Sequence, residues 1–553
     1  MTVSPYHSRP WLARYSAWVP ADLPPPALSA IDQFRATAQR IPEQPAIHYF
    51  TATLSFAALD RLSSELAAAL QSLGLGQGDR VALYLQNVPQ FYIAQLAAWK
   101  CGAIVVPLNP MLKAAELAYH LSDSGSSLII ALESLYEIVA QTAGKTDLAH
   151  VITTSELDFL GAGERPALLR DAAKLRHPGT LDMLELCEQQ SGAADPAVPT
   201  EPADTAFLTY TSGTTGRPKG AMNSHANVAY NAEVYRVWMQ LGPGDVVVGA
   251  APLFHITGAI GHLAAAAHAG LPVILGYRFD PVELLGLIAR WRGSFLIASI
   301  TVYIALMNHP AISDHDLSSL SKCFSGGAPI APSVVEQFQA LTGAYIHNLY
   351  GLTETTSPSH STPFGGRAPV DPESGALSVG LPIPGSLIKI CDQETGADMP
   401  IGERGEIVTS GPMVVASYWQ KPEESAKAVR EGFLFTGDIG FMDAEGWFYI
   451  VDRKKDMIIA SGYKVWPREV EDVLYQHPAV REAAVVGVPD AYRGETVKAF
   501  VSLKPNSLVE PDTLIAFCKE RMAAYKYPRQ IVILPELPKT ATGKILRREL
   551  RDV

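Results

Sequence analysis

One segment is more informative about this chain than any other: Tyr210-Thr-Ser-Gly-Thr-Thr-Gly-Arg-Pro-Lys-Gly220. An apolar run at 207–210 precedes it and predicts a strand. The hydroxyl and glycine residues that follow let backbone N–H groups turn inward around phosphate oxygens. Arg217 and Lys219 add positive charge, so the segment predicts a loop that holds a polyphosphate. A Walker A loop needs a Gly-Lys-Ser/Thr ending with a helix directly after it, and this segment has no such ending, which disfavours an ordinary P-loop NTPase. A plain surface turn is the other alternative.

Outward from this loop, helical and strand patterns alternate along the chain. Helix patterns cover 59–73 and 91–99, and strand patterns cover 81–85, 104–107 and 127–131. This alternation predicts parallel sheets covered by helices. A polar, proline-containing connector at 191–199 is expected to separate two subdomains of one large body.

Composition excludes several classes of protein. The 553 residues are 48% hydrophobic and 18% charged, which is typical of a globular chain with several subdomains. The net charge of −12 argues against nonspecific nucleic-acid binding. The first ten residues lack the apolar run of a secretory signal, so we expect a cytoplasmic protein.

Two further features argue against a membrane span and against a disulfide or zinc framework. The apolar run 259–276 contains His262, His268 and Pro272, which suits a buried helix followed by a strand better than a bilayer span. The five cysteines are scattered and form no CxxC pair, so we expect reduced core residues.

The 210–220 segment resembles, residue for residue, the phosphate-loop signature of the adenylate-forming superfamily. This superfamily includes acyl-CoA synthetases, nonribosomal peptide synthetase adenylation domains and firefly luciferase. The resemblance extends from residue 10 to about residue 550, with five motifs in the family's order. It implies an α/β fold with a large N-terminal domain of layered sheets and helices, 1–454, and a small mobile C-terminal α+β lid, 455–553. The hinge would be Lys455, in a charged cluster that composition alone would assign to an exposed turn.

The resemblance implies an ATP site made of three groups of residues. They are the phosphate-loop residues Thr211, Ser212, Gly213, Thr214, Thr215 and Lys219; the adenine-pocket residues Gly326, Gly327, Ala328, Pro329, Tyr350 and Gly351; and the ribose contacts Asp438 and Arg453. Glu354, with Thr214, would hold Mg²⁺, which prefers hard oxygen ligands and substrate phosphates. Thr353 would contact the adenylate phosphate, although a capped helix start fits Thr353 and Glu354 equally well.

The resemblance also implies two catalytic residues outside the nucleotide loops. Residues 538–548 match the family's C-terminal signature, which makes Lys544 the catalytic lysine that bridges the substrate carboxylate and the α-phosphate in the transition state. Acetylation of Lys544 would neutralise this charge, which is a hypothesis for regulation. His255 would stand between ATP and the acyl tunnel, whereas a lone histidine in an apolar run is otherwise a core residue.

The acyl and thiol sites are implied less completely. Candidate acyl-pocket residues are His255, Ser299, Ile300, Tyr303 and Gly326. The segment 298–303 departs from the Val-Pro-Thr pattern of many relatives, so the pocket shape stays open. Gly462, Tyr463 and Lys464 lie in a segment that resembles the pantetheine tunnel of CoA ligases. The chain also ends soon after Lys544, which favours free CoA over a carrier thiol.

The implied reaction is ATP-dependent activation of a carboxylic acid as an acyl-adenylate, followed by transfer to CoA. Segments 10–15 and 463–471 look most like bacterial medium- and long-chain fatty acyl-CoA ligases. An aryl or other small acid is the alternative, because apolar tunnels admit flat rings and alkyl chains alike. A carrier-protein ligase, a luciferase-like oxygenase and a nucleotide sensor are remote alternatives. We expect ATP, Mg²⁺, CoA and a small carboxylic acid as ligands, with no nucleic acid and no integral membrane segment, and a homodimer stays open.

Overall fold

A computed structural model of the chain describes residues 4–163, 165–211, 217–453, 458–460, 463–490, 494–540 and 543–551. These residues form three sheets with covering helices and a fourth, C-terminal sheet with its own helices.

A nine-stranded sheet lies at the centre of the large N-terminal part. Its strands are β1 (Pro45–Tyr49), β2 (Ala52–Ser55), β10 (Val247–Val248), β11 (Val273–Leu275), β12 (Phe295–Ala298), β13 (Lys322–Ser325), β14 (Ile346–Leu352), β15 (Ser357–Ser361) and β16 (Leu381–Pro382). Their order across the sheet is β16-β15-β14-β13-β12-β10-β11-β1-β2. The strands from β14 to β1 in this order are parallel, and β2, β15 and β16 are antiparallel to their neighbours.

A seven-stranded sheet contains the strands that flank the predicted phosphate loop. Its strands are β3 (Arg80–Tyr84), β4 (Ile104–Pro107), β5 (Leu128–Leu132), β6 (His150–Thr154), β7 (Leu181–Asp182), β8 (Thr205–Thr211) and β9 (Lys219–Ser224). Their order is β7-β6-β5-β3-β4-β8-β9, parallel except for the final β8–β9 pair. The predicted parallel arrangement is confirmed for this sheet.

A five-stranded antiparallel sheet completes the large part. Its strands are β17 (Leu387–Cys391), β18 (Gly405–Ser410), β19 (Val429–Arg430), β20 (Phe433–Met442) and β21 (Phe448–Arg453). The N-terminal segment packs against this region: Trp11 is fully buried, its ring 5.9 Å edge-on from Phe448.

Twelve helices of the described large part cover these sheets. They are α1 (Ala30–Arg40), α2 (Phe56–Ser72), α3 (Pro89–Lys100), α4 (Ala114–Ser124), α5 (Tyr136–Ala140), α6 (Met183–Gln189), α7 (His225–Trp238), α8 (Ala265–Ala269), α9 (Pro281–Trp291), α10 (Ile300–Met307), α11 (Pro332–Thr342) and α12 (Pro422–Ala428). The helices α2 and α3 and the strands β3, β4 and β5 match the predicted patterns. Ser55 caps α2 by accepting the Ala58 N–H, and Leu59, Leu66 and Leu70 form its fully buried stripe.

The C-terminal part has a hydrophobic core of its own. Its strands are β22 (Ile458–Ala460), β23 (Tyr463–Val465), β24 (Val480–Asp490), β25 (Gly494–Leu503) and β26 (Gln530–Ile533), and its helices are α13 (Pro467–Tyr475), α14 (Pro511–Lys519) and α15 (Arg547–Leu550). Val451 belongs to the core of the large part and Ile458 to the core of the C-terminal part. The proposed boundary at 454/455 falls between them, and Lys455 itself lies outside the described residues.

The connector 191–199 does not separate two subdomains, so that expectation is wrong. It joins α6 to β8, and the strands on either side of it, β7 and β8, belong to one seven-stranded sheet. Asp195 in the connector accepts two hydrogen bonds from Arg35 of α1, both 2.8 Å long. This ion pair binds the polar segment to the body, which composition alone does not reveal.

The apolar run near residue 260 is a helix followed by a strand, as predicted. It forms one π-helical segment, Gly258–Ala264, which continues into α8 and then into β11. None of the described helices combines the length and apolar character that crossing a bilayer requires. All five cysteines are free and buried, as expected.

Candidate active site

Four predicted site segments follow the carboxyl ends of parallel strands in the nine-stranded sheet. The strand β10 leads toward His255, and β12, β13 and β14 are followed at once by Ser299, Gly326 and Thr353. These four strands are neighbours, so their carboxyl ends meet at one edge. Open α/β sheets bind their ligands at such an edge.

The strands β8 and β9 flank the predicted phosphate loop. They pair antiparallel, with Thr211 opposite Lys219. The loop residues Ser212, Gly213, Thr214 and Thr215 lie outside the described part of the chain. Because a strand rather than a helix follows the loop, the arrangement is not that of a Walker A motif.

The helix α4 holds both ends of this loop. The Tyr210 hydroxyl donates to Asp123 Oδ2 at 2.9 Å, and the Tyr119 hydroxyl donates to the Pro218 carbonyl oxygen at 2.7 Å. Lys421 Nζ donates to the other oxygen of Asp123 at 2.6 Å. Burial, and then the Asp123 carboxylate, raise the pKa of Tyr210, so its hydroxyl remains a proton donor. The separation of the two loop ends is therefore fixed from outside the loop.

The candidate magnesium carboxylate, Glu354, lies in the short 3₁₀ turn Thr353–Thr355 between β14 and β15. The Tyr418 hydroxyl donates to its Oε1 at 2.7 Å, and burial raises the pKa of this tyrosine. Lys219 Nζ lies 4.5 Å from the centre of the Tyr418 ring. Tyr418 therefore contacts both groups: its ring lies beside the loop cation Lys219, and its hydroxyl bonds the candidate metal ligand Glu354.

The residues around Glu354 fit a magnesium ion that is shared with a substrate. A carboxylate oxygen is the ligand type that Mg²⁺ prefers. Within the described ranges, no group of three or more His, Cys, Asp or Glu side chains could hold a metal. An ion at Glu354 would therefore also take ligands from substrate phosphates and water, as Mg²⁺ commonly does.

The chain directly after Glu354 is strained, and buried polar side chains hold it. Thr356 and Ser357 have φ values of 51° and 90°, in the left-handed region that non-glycine residues avoid at a cost of about 1–3 kcal/mol each. The Asn231 amide donates to the Thr356 carbonyl oxygen at 2.6 Å, and the Asn223 amide donates to Thr356 Oγ1 at 2.9 Å. The Tyr235 hydroxyl lies 2.8 Å from Ser357 Oγ. These contacts fix the turn that presents Glu354.

The predicted base and ribose residues are neighbours. The Tyr350 hydroxyl donates to Asp438 Oδ2 at 2.6 Å, and Asp438 lies opposite Arg453 in the β20–β21 register. The side chain of Arg453 lies outside the described part.

Close backbone approach explains two of the predicted glycines. A Cβ on Gly326 would collide with the Leu349 side chain, and a Cβ on Gly351 would collide with the Ser357 carbonyl oxygen. Gly327 has φ +79° and nothing within 4 Å of the position a Cβ would take, so a flat ligand can lie against its backbone. Ala328 and Pro329 continue this turn after β13.

His255 is a neutral side chain near Lys544. Burial, and then the Lys544 ammonium, lower the pKa of His255 to about 4. Its Nδ1 accepts the Thr257 N–H at 3.3 Å, which leaves the proton on Nε2. At neutral pH this histidine can donate one hydrogen bond but carries no charge.

The loop that carries Lys544 reaches the edge of the nine-stranded sheet. A Cβ on Gly543 would lie 2.8 Å from Ser299 Oγ and would collide with Thr301 Oγ1. Gly543 also has φ +78°, so glycine is required there on two counts. Within the loop, Thr540 N–H donates to the Lys544 carbonyl oxygen at 2.7 Å. The C-terminal part thus brings Lys544 next to the segment that follows β12.

The remaining candidate acyl-pocket residues are only partly accessible. Ser299 Oγ lies 2.7 Å from Thr301 Oγ1 at the start of α10, and Ile300 is buried. Tyr303 is fully buried, with its hydroxyl 2.9 Å from the Leu296 and Phe324 carbonyl oxygens. Tyr303 therefore supports the wall behind the first residues of α10, and its contact with a substrate stays a prediction.

The predicted CoA residues are described only as backbone. Tyr463 and Lys464 lie in β23, paired with Ala460 and Ile459 of β22. Gly462 and the side chains of the other two lie outside the described residues.

Sequence reasoning missed the residues that hold this site in shape. They are Asp123, Asn223, Asn231, Tyr235 and Tyr418. One signal was available, because Asn231 and Tyr235 are four residues apart on the buried α7, and buried polar groups require partners. Tyr418 gives no local signal, since its partner Glu354 is 64 residues away in the chain.

Comparison with known proteins adds independent findings. Residues 34–419 match the model of the AMP-binding enzyme family, and residues 469–544 match that of the AMP-binding enzyme C-terminal domain. The long-chain-fatty-acid–CoA ligase of Bacillus subtilis (strain 168) is 39% identical, covering 98% of both chains, and that of Escherichia coli O6:H1 is 37% identical with the same coverage. The crystal structure of the anthranilate CoA ligase AuaEII in complex with anthranoyl-AMP matches with a TM-score of 0.86 at 29% identity, covering 96% of this chain and 98% of the other.

Proposed function

We propose that this chain, which belongs to the AMP-binding enzyme family, is an ATP-dependent acyl-CoA ligase for medium- or long-chain fatty acids. In the first step a carboxylate oxygen attacks the α-phosphorus of ATP, and pyrophosphate leaves. In the second step the CoA sulfur attacks the acyl carbon, AMP leaves with the bridging oxygen, and the thiol proton passes to solvent.

The observation that supports the first step most directly is the packing of Gly543 against Ser299 and Thr301. This contact brings the neighbouring Lys544 to the sheet edge where Gly326 and Thr353 also lie. A fixed cation at that edge can stabilise charge that develops between a carboxylate and the α-phosphate. We assign this role to Lys544, and contact with the adenylate phosphate to Thr353.

The nucleotide is assigned to the residues that line the same edge. Gly326, Gly327, Ala328, Pro329 and Gly351 would lie along the adenine, and Tyr350 would stack on it. Asp438 and Arg453 would bind the ribose hydroxyls. Thr211, Ser212, Gly213, Thr214, Thr215 and Lys219 would bind the β- and γ-phosphates. When bound, Mg²⁺ would neutralise charge on these phosphates, held by Glu354 and Thr214.

The second step requires the lid to move. We assign the lid to 455–553 with its hinge at Lys455, because Val451 lies in the hydrophobic core of the large part and Ile458 lies in that of the C-terminal part. A rotation there would withdraw Lys544 and present Gly462, Tyr463 and Lys464 to the pantetheine arm of CoA. His255, which stays uncharged, would separate the nucleotide from the acyl tunnel without binding a carboxylate as an ion pair.

A fatty acid is favoured by the full-length relatives in Bacillus subtilis and Escherichia coli, both named for long-chain fatty acids. An aryl acid is the second candidate, because the structural match to an anthranilate CoA ligase covers nearly the whole chain. Ser299, Ile300 and Tyr303 are the residues assigned to the acyl pocket, and because the segment 298–303 departs from the Val-Pro-Thr pattern of many relatives, the choice between the two acids rests on the relatives and on the test below.

The test is ATP- and Mg²⁺-dependent thioester formation from free CoA, across fatty acids of increasing length and several aryl acids. AMP and pyrophosphate are measured together with the thioester. We expect a maximum at a medium or long alkyl chain, with equal amounts of AMP, pyrophosphate and thioester. A maximum at an aryl acid would select the second candidate, and pyrophosphate without thioester would exclude CoA as the acceptor.

A further inference from the structure

The helix α13 divides its side chains between the two domains. Val470 and Leu474 lie in the core of the lid. Arg468, Asp472 and Tyr475 recur at positions i, i+4 and i+7, which places them on a common face. Tyr475 packs against the cores of both domains, so this second face meets the large domain.

Arg468 extends from this face into the large domain. Its Nη1 donates to the Ile450 carbonyl oxygen at 2.9 Å, and its Nη2 lies 3.5 Å from the carbonyl oxygens of Ile330 and Leu377. The side chain is only 4% exposed. Its Nε lies 3.6 Å from Asp472 Oδ2 on the same helix.

Two of these three acceptors belong to the nucleotide-binding segments. Ile330 directly follows the Gly326–Pro329 turn assigned to the adenine. Ile450 lies in β21, the strand that ends at Arg453 and pairs with Asp438. Arg468 therefore connects the lid to the backbone of both the base and the ribose segments.

This contact depends on the orientation of the lid. The acceptors are main-chain carbonyls of the large domain, so they stay behind when the lid rotates. A buried guanidinium is costly unless its planar fork is hydrogen-bonded, and the fork tolerates little change in direction. The contact consequently stabilises the orientation in which Gly543 reaches Ser299, and it offers nothing to an orientation in which Arg468 has left its acceptors.

We propose that Arg468 is a positioning residue for the first half-reaction, which selects the lid orientation that delivers Lys544. The proposal rests on the two-step function proposed above. It gives Arg468 no contact with substrate and no part in the second step. Its effect is to raise the fraction of molecules that are ready for adenylate formation.

The experiment measures the two half-reactions separately in Arg468→Met and Arg468→Lys. Adenylate formation is followed as pyrophosphate release without CoA, and thioester formation is followed from presynthesised acyl-adenylate and CoA. Losing hydrogen bonds from a charged group corresponds to about a tenfold loss or more, so we expect Arg468→Met to slow adenylate formation by that factor. Thioester formation should stay within about twofold of wild type. Arg468→Lys keeps the charge but not the planar fork, so its rate of adenylate formation should lie between those of wild type and Arg468→Met.

Arg521→Met is the matched control, because Arg521 is an exposed lid arginine that donates to the Phe517 carbonyl oxygen of the preceding helix, α14. It should leave both half-reactions unchanged. Equal losses in both half-reactions of Arg468→Met, or no loss of adenylate formation, would overturn the proposal. If Arg468→Met does not fold, the same comparison of the two half-reactions is made in Arg468→Lys, where adenylate formation should again be slowed more than thioester formation. Failure of the wild-type enzyme to form an adenylate would overturn the proposed function instead.

Discussion

The large domain and the lid hold their candidate catalytic groups differently. The turn at Glu354 is bonded from several elements of the large domain: Asn223 of β9, Asn231 and Tyr235 of α7, and Tyr418. These contacts hold a strained backbone in one conformation. Glu354 is therefore positioned whether or not the lid is docked.

The Lys544 loop is held mainly by the lid itself. The Thr540 N–H donates to the Lys544 carbonyl oxygen, and Thr540 Oγ1 accepts the Lys544 N–H. Arg547, three residues further along the chain, pairs with the buried Glu471 of α13 at 2.7 Å. The loop can therefore travel as part of a rigid lid and keep its internal shape. Glu354 is therefore in place in any orientation of the lid, whereas the proposed rotation would leave Lys544 in place in only one orientation. Damage to the lid should separate the two half-reactions. Damage that loosens the backbone of the turn at Glu354 should not, because the same turn carries Thr353, which is assigned to the adenylate phosphate.

The largest effect is expected from Lys544→Ala. Removing one pre-positioned charge should slow adenylate formation by about 100- to 1000-fold, which corresponds to about 2.7–4 kcal/mol. Thioester formation from presynthesised acyl-adenylate should survive, because the proposed rotation of the lid would have withdrawn Lys544 by then. Both rates are measured by single-turnover kinetics.

Lys519→Ala is the control for this variant. Lys519 is an exposed lysine in the last turn of α14, so its removal should change neither rate. Equal loss of both half-reactions in Lys544→Ala would contradict this difference between the lid and the large domain, because Lys544 would then act in both orientations.

The scaffold of the large domain is tested by Asn231→Ala. This change leaves the buried carbonyl oxygens of Thr355 and Thr356 without their donor. We expect the free energy of unfolding to fall by about 1–3 kcal/mol. Both half-reactions should slow together, by about 10- to 100-fold, as the strained turn relaxes.

Asn308→Ala provides the comparison for Asn231→Ala. The Asn308 amide donates to the Ile304 carbonyl oxygen at the end of its own helix. Its loss should lower the free energy of unfolding by only about 0.5 kcal/mol, measured by denaturant titration. A selective loss of adenylate formation in Asn231→Ala would contradict the idea that the turn serves both steps.

Tyr418→Phe changes a side chain of the large domain that contacts Glu354 but not the backbone of the turn, so it should affect only adenylate formation. Removing its hydroxyl takes away the donor to Glu354 and leaves the ring beside Lys219. We expect the Mg²⁺ and ATP concentrations needed for adenylate formation to rise by about tenfold, the size expected for a hydrogen bond to a charged group. Thioester formation needs no metal-bound pyrophosphate and should be unchanged.

Tyr449→Phe is a matched tyrosine control for Tyr418→Phe. Its hydroxyl donates to Asp443 Oδ2 at 3.1 Å in the β20–β21 hairpin, so the same chemical change is made at a different carboxylate. If both variants raise the Mg²⁺ requirement equally, the effect of Tyr418 is not transmitted through Glu354.

Local patterns predicted those parts of the molecule whose partners are close in sequence. The spacing of leucines predicted α2, and the alternation of helices and strands predicted that β3, β4 and β5 lie in a parallel sheet. The connector at 191–199 was misread because its anchor, Arg35 of α1, is 160 residues away. The residues that support Glu354 were not predicted for the same reason, because their partners are distant in the sequence. Spacing within a motif identifies chemical groups, but the groups that hold them come from other elements of the fold.

The smallest effect expected is a pH dependence of lid docking through Asp472. Burial raises the pKa of this carboxyl to about 7, although Arg468 beside it acts in the opposite direction. The other charged groups that influence it are Glu469 and Glu471 of the same helix. If rotation exposes Asp472, its pKa returns toward its usual value of about 4, and docking takes up a proton. Docking is then unaffected below about pH 4, weakens as the pH rises toward 7, and changes no further above it.

Asp472→Asn should remove this dependence, because the amide stays uncharged at every pH. In the wild type we expect the ratio of adenylate formation to thioester formation to fall by less than about tenfold between pH 6 and 7 and to level off by pH 8. His255, with a pKa of about 4, stays neutral over this range and cannot produce the slope. Asp512→Asn, at an exposed carboxylate in the first turn of α14, should keep the wild-type profile. If the ratio of the two half-reactions still depends on pH in Asp472→Asn, the lid docks without a change in the environment of this carboxyl. The contrast between a fixed Glu354 and an orientation-dependent lid would then rest on Arg468 and Lys544 alone.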